Sequence, residues 1–371
     1  MQEYQIGPLR LHAQRVPGHY RAFAAADHRR AEVTLTCSDT LPPADEEGWV
    51  AEHELMNVRR AGEHWRFEDA RCRAVLTVRG DYSAACFCCG VSPEAPEYDR
   101  LLAPLLQSLL QCAMVQHGYA VLHAACVSVA GEAVAFSGPS GSGKSTRALR
   151  LVEHLGGAWI SGDRPVIDPE NRLAYGAPWD GKEQIYSAAT VPLRCIAEVR
   201  RSNVTCARRM TPRQASAFLA GQLFIPMWDT HLAAKALSAM QRLIRYIPIL
   251  RLYSDRDLGA AMETYNILFR FPGQIREMEE EKVMKLKEGF EIVVVSGDYL
   301  ALPTGDNIAS FSGSVVLNEV SAALLKELGR RECTKEDLLA MLLNEYEVEQ
   351  ETARRDLDNI LKTFGEIGLI D

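Results

Sequence analysis

Apolar positions alternate with a period of two in the first part of the chain. AEVTLTC (31–37) and HWRFEDARCRAVLTVRGDY (64–82) have strand composition, and Gly80-Asp81 marks a turn. Residues 1–95 therefore read as short strands and turns. Their histidines, His12, His19, His28, His53 and His64, occur singly and form no constellation. The period changes at 97–116, EYDRLLAPLLQSLLQCAMVQ, which is helical in spacing despite Pro104. Residues 120–129 (AVLHAACVSV) predict a strand, Ala130-Gly131-Glu132 a turn, and 133–137 (AVAFS) a second strand. RALRLVEHL (147–155) follows as a helix closed by Gly156-Gly157. CIAEVRR (195–201) reads as a strand. Thr211 and Pro212 open a helix as N-cap and first position. ILRLYSDRDL (249–258) is a last strand feeding a helix over 258–269.

The C-terminal pattern is different. Two β runs within 290–303 flank Ser296-Gly297-Asp298, a hairpin signal, and Val315-Val316-Leu317 is a third short run. Helical patterns follow at 319–328, at 335–346 behind Thr334 as N-cap with Asp337 as its capping carboxylate, and at 349–364. A hairpin plus three helices is a winged-helix-like module.

Composition narrows this picture. The 371 residues suggest two or three domains, and 47% hydrophobic with 24% charged residues excludes disorder for the whole chain. Net charge is −8, against the basic balance of a generic nucleic-acid binder. From Glu277 onward there are 21 acidic and 10 basic residues, so a boundary is expected near the acidic run 277–281. The charge of this tail also opposes DNA as the winged module's ligand. No apolar run reaches about 18 residues, so neither a membrane span nor membrane association is expected. The first residues lack the apolar stretch of a signal peptide, and the ten cysteines are scattered, so a cytoplasmic protein with reduced thiols is expected. Cys86-Phe87-Cys88-Cys89 lacks a partner pair at zinc spacing and reads as a buried strand. Arg200, Arg201, Arg208, Arg209 and Arg213 read as a solvated face, with an acidic partner or phosphate as the alternative.

The chemistry concentrates after 133–137. Gly138-Pro139-Ser140-Gly141-Ser142-Gly143-Lys144-Ser145-Thr146 matches G-x-x-x-x-G-K-[ST] between a strand and a helix. Glycines let backbone N–H groups curl around a phosphate, and the helix N-terminus adds a favourable dipole. Lys144 reaches the β- and γ-phosphates, and the Ser145 hydroxyl is suited to Mg²⁺. Asp163 follows the strand Ala158-Trp159-Ile160, on the ligand side of an open α/β sheet, where it can serve the metal or accept a hydroxyl proton. Asp168 and Asp180 are weaker candidates. Glu183 is a second metal candidate and Lys182 a phosphate contact, within the rigid loop around Gly176, Pro178 and Gly181.

Leu122-His123-Ala124-Ala125, the hairpin, the loop 138–146, Ser161-Gly162-Asp163-Arg164 and Gly176-Ala177-Pro178-Trp179 together resemble the HPr kinase family, whose fold is shared with phosphoenolpyruvate carboxykinase. The resemblance is closer to the HPr-kinase-like enzymes that phosphorylate a seryl hydroxyl in ribosomally made precursor peptides, lasso-peptide kinases among them. It implies His123 and Asp163 in the active site. Two features depart from it. Gly162 stands where HPr kinases carry the first of paired aspartates, and the Glu-Ile-Arg-Gly signature is absent, with Glu183 a loose substitute. Both argue against HPr as substrate. Gly297-Asp298-Tyr299, Leu317-Asn318-Glu319 and the acidic three-helix tail resemble the PqqD-like modules called RiPP recognition elements, which bind a leader peptide as an added strand.

The expected fold class is α/β: a mainly β region over 1–95, a P-loop, HPr kinase-like domain over 96–275 and a winged-helix-like, PqqD-like domain over 282–371. The role of 1–95 is open between shielding the active site and completing the kinase sheet. The expected function is an ATP- and Mg²⁺-dependent peptide kinase, with His123, Lys144 and Asp163 catalytic and Ser145, Asp163 and Glu183 at the metal. Serine as acceptor and a homo-oligomer are implied by resemblance alone. The rival classes are a nucleotide-gated delivery protein without transfer activity and a small-molecule kinase or nucleotidyltransferase.

Overall fold

The period-two stretches of the first 95 residues form one eight-stranded sheet. Its order is β1 (Gln2–Ile6), β2 (Leu9–Ala13), β3 (Val33–Ser38), β8 (Ala84–Cys89), β7 (Ala74–Arg79), β6 (His64–Asp69), β5 (Met56–Ala61) and β4 (Ala51–Glu52). The computed structural model describes all residues except 26–28, 39, 41–50, 53–55, 70, 72, 140, 180–183, 203, 256, 279–282, 296, 306–313, 347 and 371. The apolar run 64–82 becomes two strands because the Asp69 carboxylate accepts from the backbone N–H groups of Arg73 and Ala74, at 2.5 and 2.7 Å, and turns the chain. The cysteine cluster lies in β8, where Phe87 is fully buried and Cys88 and Cys89 nearly so. Among the described residues these eight strands pair only with one another, so the N-terminal region does not complete the second sheet.

Helix Pro96–Gln116 covers this sheet. Leu102, Leu105, Leu106, Leu109 and Leu110 are at most 1% exposed, as their helical spacing requires. Tyr98 meets Phe87 edge-on at 5.2 Å between ring centres. The same core takes in Trp179, Leu232 and Ala236 from beyond the glycine loop. Residues 1–95 and the segment after them thus belong to one unit, Met1–Met278.

The second sheet runs β12 (Ala158–Ser161), β10 (Ala124–Val129), β11 (Glu132–Ser137), β15 (Thr190–Arg201), β17 (Ile249–Ser254), β16 (Cys206–Arg209), β18 (Arg276–Glu277). β14 (Leu173–Tyr175), β13 (Val166–Asp168) and β9 (Ala120–Val121) branch from the start of β15. β11, β15 and β17 are parallel. Their residues, such as Val134, Phe136, Ala197 and Leu252, are buried on both faces, which explains the continuous apolar runs. The helix over 258–265 passes into a π-turn at Asn266–Arg270, a change of winding that the apolar spacing does not announce.

The second unit, Glu279–Asp371, has its own core. β19 (Phe290–Val295), β20 (Asp298–Pro303) and β21 (Val315–Leu317) form an antiparallel sheet in that order. Helices Glu319–Arg330, Lys335–Glu345 and Gln350–Ile367 follow. Asn318 caps the first, and Thr334 with Asp337 forms the expected capping box on the second. Leu324, Leu325, Leu328, Leu338 and Leu357 are fully buried between them. Among the described residues, no helix is long and apolar enough to cross a membrane.

Candidate functional site

The site grows from the end of β11. Ser137 is the last strand residue, and the chain then turns through Gly138, Gly141 and Gly143, with φ of 136°, 79° and 96°. These values favour glycine. At Gly138 space matters as well, because a Cβ would lie 3.3 Å from Ser142 Oγ and 3.4 Å from the Val199 carbonyl. Helix Lys144–Leu155 begins directly at the loop, three residues earlier than the apolar spacing indicates, and ends at Gly156 in the left-handed region. The polar first turn, Lys144-Ser145-Thr146, hides its helical character from an apolar pattern. Lys144 Nζ donates to the carbonyls of Gly138 and Pro139 at 2.7 and 3.1 Å. Ser145 is half-buried and Thr146 exposed. The Ser142 hydroxyl is enclosed and has no hydrogen-bond partner among the described residues. Ser140 lies outside the described residues.

His123 comes to the same place by a break in a strand. Residues 120–129 do not form the single strand that their pattern predicts. Leu122 bridges Leu223, and the His123 N–H donates to the Gln222 carbonyl at 2.8 Å, which separates β9 from β10. The buried Ser137 hydroxyl donates to the His123 carbonyl at 2.6 Å and meets Gln222 Oε1 at 3.2 Å. The last residue before the glycine loop therefore holds His123 directly.

Asp163 follows β12 as the strand-end rule requires, and its carbonyl accepts from the Ala124 N–H at 2.6 Å. Asp163 Oδ1 lies 3.6 Å from His123 Nε2, and Oδ2 lies 3.6 Å from Arg164 Nε. Arg164 reaches Gln111 Oε1 at 3.3 Å, and its carbonyl accepts from Trp179 Nε1 at 2.7 Å. Gly176 lets the next segment close in, since a Cβ there would stand 2.0 Å from the Ser187 carbonyl and 2.6 Å from that of Ile160. Although the His123 side chain is 46% exposed, partial desolvation lowers its pKa, Asp163 opposes this, and the positive charges of Lys144 and Arg164 lower it further. His123, Asp163 and Lys144 thus share one electrostatic environment.

The other predicted residues fare differently. Asp180, Lys182 and Glu183 lie outside the described residues. Asp168 is turned away into its own hairpin, where its carboxylate accepts from Glu170 and Asn171. Spacing did not reveal Ser137, Gln222 or Gln111 as supports of the site, because each acts across the fold. Glu198 was missed too. It is 3% exposed, pairs in register with Ser137, and accepts from Arg251 Nε and Arg200 Nη2, each at 2.6 Å. Part of the basic stretch is therefore engaged internally. Among the described residues no three His, Cys, Asp or Glu side chains converge as a metal cage.

Residues 299–370 match the family model of coenzyme PQQ synthesis protein D (PqqD). The C-terminal unit is thus PqqD-like. The match begins inside β20, so β19 precedes it. No curated protein matches the chain. Among solved structures, one titled "Lasso peptide synthetase B1 complexed with the leader peptide" matches at 20% identity over 24% of this chain and 96% of that chain, with a TM-score of 0.20.

Proposed function

We propose that the protein is an ATP- and Mg²⁺-dependent kinase that phosphorylates a hydroxyl, that of serine by resemblance, in a ribosomally made precursor peptide. In this reading residues 282–371 hold the leader and residues 96–275 carry the chemistry, on a scaffold shared with residues 1–95. The observation that carries it is the common environment of Lys144, His123 and Asp163 at the mouth of the glycine loop. The PqqD match supports the peptide as substrate.

The residues present fit the nucleotide. Positive-φ glycines fit a loop that aims N–H groups at phosphate, and the enclosed Ser142 hydroxyl is a spare polar group in its wall. Mg-ATP, when bound, would supply the phosphoryl group and a divalent charge to offset its negative charge. Residues 138–146 would cradle the phosphates, with Lys144 on the β- and γ-oxygens. Ser145 and Asp163 would hold the metal, with Glu183 as the further carboxylate. His123 or Asp163 would accept the hydroxyl proton. With its pKa lowered, His123 is neutral at pH 7 and has an acceptor nitrogen. Leader capture raises the local concentration of the core peptide, so the catalytic unit needs little affinity of its own.

Gly162 favours a second reading, in which nucleotide binding gates peptide delivery without transfer. The experiment incubates protein, Mg-ATP and the precursor peptide encoded beside the gene, and follows the peptide by intact mass. One added phosphoryl group supports the kinase; a bound but unmodified peptide supports delivery.

A further inference from the structure

The parallel strands have a second end. β11, β15 and β17 run from Glu132, Thr190 and Ile249 toward the glycine loop side, and a cleft of about 600 Å³ opens at their starts. From Glu132 to Ser137 the strand spans roughly 17 Å at about 3.3 Å per residue, so cleft and loop are separate places. The volume lies in the usual range for small-molecule sites.

The lining combines two chemistries. Leu193, Leu250, Leu268 and Ile275 give it an apolar floor, with Pro192, Pro248 and Pro272 at its rim. Arg172, Arg194 and Arg209 also line it, against the single carboxylate of Glu132. Arg194 is engaged: it pairs with Glu132, donates from Nε to the Leu268 carbonyl at 2.6 Å and lies over the Phe269 ring. Arg172 and Arg209 are exposed, and neither guanidinium has an ion-pair partner among the described residues.

The backbone of Arg172 carries the argument further. It closes the turn between β13 and β14, which the Asp168 carboxylate organises, and its φ is +54°. Glycine or asparagine adopts that conformation at less cost than arginine. The turn thus keeps an unfavourable residue that lines the cleft and has no ion-pair partner among the described residues.

We propose that this cleft binds a small organic anion with an apolar body, of the class of medium-chain carboxylates. The carboxylate meets the guanidinium groups of Arg172 and Arg209 through charge-assisted hydrogen bonds, and the chain covers Leu193, Leu250 and Leu268. The inference is independent of the kinase reading.

The test is calorimetric titration of the full-length protein with sodium octanoate. Saturable one-to-one binding is expected, with Arg172→Gly and Arg209→Gln each weakening it about tenfold or more. Arg172→Gly is expected to keep or raise the Tm, since glycine relieves the turn. Excess Mg-ATP is expected to leave the octanoate affinity unchanged. The proposal is overturned if the wild type shows no saturable binding, if both variants bind as the wild type does, or if Mg-ATP abolishes binding. A clearly lowered Tm in Arg172→Gly also overturns it, because Arg172 would then be a structural residue.

Discussion

At the scale of single residues, His123 is the informative one. Its imidazole lies beside Asp163, and partial desolvation with the charges of Lys144 and Arg164 outweighs the carboxylate, so its pKa lies below the ordinary value of about 6.5. With His123 as the base of the proposed transfer, protonation removes the acceptor nitrogen, and loss of activity is expected only as pH falls below that value. The acidic limb of kcat/KM is expected below pH ~6.5, and His123→Gln is expected to abolish that limb. A limb unchanged in the variant would assign the titration elsewhere. Asp163→Asn is expected to lower kcat by about a hundredfold or more with the fold intact, checked by single-turnover kinetics and thermal melting. The position of Asp163 was readable from the sequence because it directly follows a strand, and β12 runs in the same direction as β11, so its end lies on the glycine-loop side of the mixed sheet. The supports of His123 were not readable. Gln222 lies far along the chain, and Ser137 looks like an ordinary strand residue until its hydroxyl meets the His123 carbonyl.

At the scale of elements, local signals carried well where the physics is local. Thr211 and Thr334 are N-caps in the structure because Gln214 and Asp337, three residues on, complete capping boxes. The two β runs of 290–303 pair antiparallel, as the turn signal between them predicts. Patterns failed where distant contacts decide. AVLHAACVSV is apolar enough for one strand, yet Leu223 and Gln222 split it at His123. The first turn of helix Lys144–Leu155 is polar, and its Lys144 donates to the loop carbonyls of Gly138 and Pro139. Two element-level tests follow. Leu106→Ala, in the face of helix Pro96–Gln116 that joins both sheets, is expected to destabilise the Met1–Met278 unit by about 2–5 kcal/mol in denaturant unfolding. On the short edge strand β21, Val316 is 70% exposed. If the leader adds there, Val316→Lys is expected to weaken leader binding about tenfold without lowering the Tm, measured by fluorescence anisotropy.

At the scale of the whole molecule, the charge shift near residue 277 coincides with the division between Met1–Met278 and Glu279–Asp371. The acidic module and the slightly basic scaffold before it have separate cores, so their difference in charge is legible before any fold is known. Less legible was the association of residues 1–95 with the glycine-loop segment. Their shared core depends on side chains such as Trp179 and Leu232, which sequence proximity does not pair. Each unit has hydrophobic clusters of its own, so the proposed division between peptide binding and phosphoryl transfer can be tested one unit at a time. The most direct measurement compares wild type and Lys144→Ala with Mg-ATP and the precursor peptide, reading phosphate by fragmentation mass spectrometry and leader binding by anisotropy. The expected result is one phosphoryl group on a hydroxyl with the wild type, none with Lys144→Ala, and equal leader affinity in both. A wild type that binds the leader but never phosphorylates it would contradict the kinase. Loss of leader binding in a folded Lys144→Ala would contradict the division of labour between the two units.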